Sequence, residues 1–116
     1  MPIDRSALGG LSVQSVSAIR GVLATHPSVA QAILFGSRAK GNYKNGSDID
    51  LALTGRADYS ELAKIAGELD DLLLPWEIDL VQFDKITNPD LREHINRVGQ
   101  PLYQASAIQQ GDGGLT

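Results

Sequence analysis

The chain has no cysteine among its 116 residues, which excludes a disulfide framework and any thiolate metal centre and agrees with a reducing compartment. No apolar run approaches the roughly 20 residues needed to cross a bilayer, so no membrane span is expected. The first residues, Met1-Pro2-Ile3-Asp4-Arg5, lack the charged-then-apolar layout of a secretion signal, and the expected location is the cytoplasm. A basic excess is missing too. With a formal net charge of −4 no overall field draws the chain to nucleic acid, which disfavours direct nucleic-acid binding, although Arg38, Lys40 and Lys44 form a local cluster that can meet phosphates. Two familiar ion-binding loops are also lacking. There is no Gly-Lys-Ser/Thr ending of a phosphate-binding loop, and the glycine and later glutamate of a calcium loop are not at their offsets.

What is present bounds the size of the fold. An apolar content of 42% in 116 residues builds one core and leaves no room for a second sizeable domain. Residues 1–103 are expected to form that domain. From Gln104 onward large apolar groups are scarce and the chain runs Gln109-Gln110-Gly111-Asp112-Gly113-Gly114, so 104–116 is expected to be a flexible tail.

The periodicities predict a helix over 13–25, from Val13, Val16, Ile19, Val22 and Leu23, ending before His26-Pro27. Val29–Phe35 reads as a strand running into Gly36-Ser37. In Asp48-Ile49-Asp50-Leu51-Ala52-Leu53 apolar residues alternate with carboxylates and alanine, the period of a half-buried strand that sends Asp48 and Asp50 to one face. A helix is expected over 58–74, with Asp58 and Glu61 as a capping box. Glu77-Ile78-Asp79-Leu80-Val81 is a further alternating strand. Strand, helix, strand of this length makes the two strands parallel, and if they are neighbours Asp79 stands beside Asp50; the register is open, so Glu77 competes with it. Asn88 and Pro89 begin a last helix that Gly99 stops, and Pro101-Leu102-Tyr103 adds a short edge strand. The fold class is α/β or α+β, a small mixed sheet flanked by helices.

Two carboxylates held side by side repel each other, and a chain that presents them so normally supplies a cation. Hard oxygen ligands suit Mg²⁺ when substrate phosphates complete its shell. Gly36 permits close approach of a phosphate to backbone, and Ser37 with the following amides offers donors. Arg38 and Lys40 adjoin that turn, either as phosphate contacts or as solvated charges. Tyr43 can border the nucleotide; Trp76 and Phe83 are read as packing residues, and neither His26 nor His94 is assigned a catalytic role.

Gly36-Ser37, ten intervening residues and Asp48-x-Asp50 resemble the signature of the nucleotidyltransferase superfamily related to DNA polymerase beta. Its short length is similar to the minimal nucleotidyltransferases, small proteins often encoded beside a HEPN-domain partner as its antitoxin. That resemblance implies the palm-like polymerase beta fold, a serine (Ser37) on the triphosphate, two Mg²⁺ ions held by Asp48, Asp50 and a third carboxylate (Asp79), and ATP as substrate. It further implies a protein adenylyltransferase that places AMP on a HEPN ribonuclease toxin. A nucleotide-binding antitoxin without turnover, and an oligomeric nucleotidyltransferase acting on a small molecule, remain alternatives.

Overall fold

A computed structural model describes residues 8–44 and 46–105. After a short 3-10 turn at Leu8–Gly10 come α1 (Val13–Ala24), β1 (Val29–Phe35), α2 (Ser37–Lys40), β2 (Ile49–Gly55), α3 (Tyr59–Asp70), β3 (Ile78–Gln82), a second 3-10 turn (Phe83–Lys85), α4 (Pro89–Val98) and β4 (Gln100–Gln104). The strands form one sheet in the order β3-β2-β1-β4. β1 is antiparallel to β2 and to β4, whereas β2 and β3 are parallel.

Alternation in the strands sorts the core into two layers. Ile49, Leu51 and Leu53 of β2 face the same side as Ala32 and Leu34 of β1, where Ile19 and Leu23 of α1 and Ile65 and Leu69 of α3 cover them. Ala52 points the other way, into a smaller cluster with Phe35, Ile95 of α4 and the partly buried Ile33 and Val81. Asp50 therefore belongs to the α4 side of the sheet.

The helix ends follow from local chemistry. The Ser12 hydroxyl accepts from the Ser15 amide at 3.1 Å to cap α1. Asn88 caps α4 by accepting from the amides of Asp90 and Leu91, with Pro89 at a first-turn position where a missing N–H is harmless. α3 stops at Asp70, four residues short of the expected end at Leu74. Leu73 is in the left-handed region (φ 57°), and Leu74 precedes Pro75, which disfavours a helical backbone there. Leu72 and Leu74 still pack on the core, which is why their apolar pattern reads as helix.

At the other end of the chain, β4 runs to Gln104, and the Ala105 amide donates to the Ala30 carbonyl at 2.8 Å. The sheet thus takes in the first residues of the expected tail. Residues 106–116 lie outside the described residues.

Candidate active site

β1 ends at Phe35, and the chain turns at Gly36 into the single turn of α2. Gly36 has φ 76° and ψ −155°, a conformation essentially confined to glycine. A Cβ built there would run into the Asp50 carboxylate. The glycine thus serves two needs at once, an unusual backbone turn and direct contact with a carboxylate.

Asp50 is the centre of the arrangement. In the ladder it lies opposite Phe35 on one side and Asp79 on the other. Asp79 is exposed, and Glu77 stands one residue outside β3, with its carbonyl accepting from the Ile49 amide at 2.9 Å. Asp48 precedes β2 and is exposed. Burial pushes the Asp50 carboxyl above the usual carboxylate range; the charges of Asp79 and then Asp48 push it further, and His94 opposes them. Three acidic groups are thus electrostatically coupled at one end of the parallel pair.

The donor set can be tested against a divalent cation. Among the described residues no group of three or more His, Cys, Asp or Glu side chains could by itself hold a metal ion. The acidic cluster is open. That suits Mg²⁺, which is typically held through one or two carboxylates plus substrate phosphates rather than in an all-protein cage. Burial raises the Asp50 pKa and the neighbouring charges of Asp79 and Asp48 add to it; a divalent cation relieves that repulsion, so the residues fit the metal by charge and ligand chemistry.

Ser37 opens α2 and is partly exposed next to Asp50's neighbour Gly36. Lys40 is exposed. Arg38, read from the sequence beside the phosphate, is instead buried at 3% exposure, with its Nε donating to the Ser47 carbonyl at 3.0 Å and an Nη to the Gly9 carbonyl at 2.8 Å. Tyr43 and Trp76 lie against its guanidinium. His94, given no role from sequence, is at the site: its Nε2 accepts from the Gly36 amide at 3.2 Å, and its ring meets Phe35 edge-on. Its spacing of three from Leu91, beside buried Ile95, borders the apolar stripe of α4, which was the available signal.

A four-stranded mixed sheet with an acidic cluster beside a glycine turn is an arrangement suited to phosphates carried on a divalent cation. The model of the family described as "Polymerase beta, Nucleotidyltransferase" matches residues 17–108, and the chain belongs to that family. A Haemophilus influenzae protein bearing the name of a protein adenylyltransferase, MntA, is 38% identical over 66 residues, covering 55% of this chain and 57% of the relative. The match spans little more than half the length of that relative.

Among solved structures, a toxin–antitoxin with AMP-PNP shares the fold at TM-score 0.64 and 23% identity, over 82% of this chain and 77% of the other. A chain of the tri-AMPylated Shewanella oneidensis HEPN toxin in complex with its MNT antitoxin gives TM-score 0.60 at 21% identity, over 84% and 76%. A structure solved as a candidate minimal nucleotidyltransferase gives TM-score 0.61 at 25% identity, over 77% and 90%.

Proposed function

We propose that this protein is a metal-dependent nucleotidyltransferase that moves AMP from ATP onto a hydroxyl of a HEPN-domain partner protein, and so neutralises it as its antitoxin. The carrying observation is the placement of Asp50 between the Gly36 turn and Asp79, which sets a glycine turn directly against paired carboxylates. The named relative and the toxin–antitoxin structures support the choice of AMP and of a protein acceptor. Absence of cysteine and of any helix able to cross a membrane among the described residues accords with action in the cytoplasm.

In this reading Asp48, Asp50 and Asp79 would hold two Mg²⁺ ions, which would neutralise phosphate charge and lower the pKa of the acceptor hydroxyl. Gly36 lets the triphosphate lie against the backbone, and Ser37 donates its hydroxyl to a phosphate oxygen. The acceptor oxygen forms a bond to the α-phosphorus as the bond to pyrophosphate breaks, and Asp79, the exposed carboxylate, takes the hydroxyl proton.

The test mixes the native chain with the product of its neighbouring gene, ATP and Mg²⁺, and reads the intact mass of the partner. Nucleotidyl increments are expected, and they are expected to vanish with Asp79→Asn. A partner that binds tightly but keeps its mass with all four nucleoside triphosphates sinks the enzymatic reading. A nucleotide-binding antitoxin without turnover is the second reading, and the presence of all three carboxylates, Asp48, Asp50 and Asp79, argues against it. Asp48→Asn with Asp50→Asn separates the two, because a binding-only antitoxin keeps neutralising its toxin.

A further inference from the structure

Among the described residues, only Arg38 of the charged side chains near the motif is withdrawn from water. A guanidinium taken into a protein interior is tolerated where its donors and faces are matched. Here they are matched from both sides of the motif loop and by two segments distant in sequence, at Gly9 and Trp76. The Ser47 carbonyl accepts from Nε at 3.0 Å and the Gly9 carbonyl from an Nη at 2.8 Å. The guanidinium carbon lies 5.0 Å from the centre of the Tyr43 ring and 5.2 Å from that of Trp76, both within the range of cation–π attraction.

These groups have a common consequence for the acidic cluster. Ser47 directly precedes Asp48, which stands outside β2, and Trp76 stands just ahead of β3, the strand that carries Asp79. On its other side Asp48 is followed by Ile49, whose amide is bonded to the Glu77 carbonyl at 2.9 Å. Asp48 is thereby held between a guanidinium on one side and the sheet ladder on the other. Tyr43 is seated from beneath by Gly10, whose φ of 80° and missing Cβ leave room for the phenol ring.

We propose that Arg38 is a positioning residue rather than a phosphate ligand: a buried guanidinium that fixes the backbone of the motif loop and so sets Asp48 relative to Asp50 and Asp79. The metal-binding consequence rests on the reading given under Proposed function; the loop-fixing role does not. A lysine retains the charge but neither the fork of donors nor the flat face that lies between two rings, so Arg38→Lys isolates geometry from charge.

The experiment uses the full chain and two readouts. Amide hydrogen exchange without ligand is expected to quicken at least tenfold around residues 44–48 in Arg38→Lys while amides of α3 keep their native rates. Mn²⁺ binding in the presence of ATP, followed by electron paramagnetic resonance, is expected to weaken at least tenfold. Tyr43→Leu, which removes one ring and leaves the arginine, is expected to move both readouts in the same direction by less, and it decides the matter if Arg38→Lys does not fold. Native exchange in the loop together with native Mn²⁺ affinity overturns the proposal. So does an acceleration shared equally by α3, since that reports a general loss of stability. If the unmodified chain binds no Mn²⁺ with ATP, the nucleotide reading fails, and the exchange arm alone still accepts or rejects the loop-fixing role.

Discussion

At Gly36 the sequence shows one reason for a glycine and the structure adds another. Gly36-Ser37 carries the expectation of close approach by a phosphate, but the contact with Asp50 depends on how β1 and β2 are aligned, which no local pattern states. Gly36→Ala is expected to cost about 1–3 kcal/mol from backbone conformation, read in urea melts, and to abolish ATP binding in calorimetry because Asp50 must move. Asp50→Asn is expected to do the opposite to the fold. The carboxyl has a raised pKa, so its ionised form at neutral pH opposes folding; the amide removes that penalty, and the melting temperature should stay level or rise while transfer is lost. Asp79 was legible by strand and crossover, and the ladder places it rather than Glu77 opposite Asp50. The bond between His94 and the Gly36 amide and the burial of Arg38 were not legible, because each is decided by a contact made across more than one element.

Between elements, the junction of α1 with α3 is made by a histidine. His26, at the end of α1, is 7% exposed; its Nδ1 lies 2.6 Å from Glu61 Oε2 and its Nε2 2.8 Å from Glu68 Oε1. Burial acts to lower its pKa, but the hydrogen bonds and charges of Glu68 and Glu61 together outweigh it and raise the pKa above 6.5. Both ring nitrogens can donate only in the protonated form. The stabilisation is therefore fully present below the unfolded value of 6.5 and is lost as pH rises through the folded value. His26→Gln is expected to lose about 1–3 kcal/mol at pH 6, and its deficit relative to the native chain should shrink as urea midpoints are followed into mildly alkaline buffer. An unchanging deficit would rule out the charged clamp. The same contact explains a half-legible motif: Asp58 does cap α3, accepting from the Glu61 amide at 2.9 Å, but the Glu61 carboxylate turns to His26 instead of back to the cap. Pattern alone identified the cap residue and the helix; the destination of the glutamate required the fold.

Across the whole molecule, strand existence was easier to read than strand order. Val29–Phe35 follows from its apolar run into Gly36-Ser37, the Asp-x-Asp strand and the Asp79 strand from alternation, and the parallel pairing of β2 with β3 from the intervening helix. That Pro101-Leu102-Tyr103 completes the sheet beside β1 does not, since pairing over such a separation leaves no trace in local periodicity. Leu102 is 1% exposed, and its carbonyl accepts from Arg20 Nε of α1 at 2.6 Å. Leu102→Ala is expected to cost about 2–5 kcal/mol, as for a truncated core leucine, seen as a lower urea midpoint; a loss below about 0.5 kcal/mol would show β4 to be an ornament of the fold. This edge also sets an order of events during synthesis. At about 5–20 residues per second, the roughly 65 residues between the end of β1 and the start of β4 take on the order of 3–13 s to make. Throughout that interval the nascent chain carries β1 with one row of amides and carbonyls unmatched, while its other row can already zip to β2. A strand left open so long is the place where a holdase chaperone, or a neighbouring nascent chain on the same messenger, would first engage this protein.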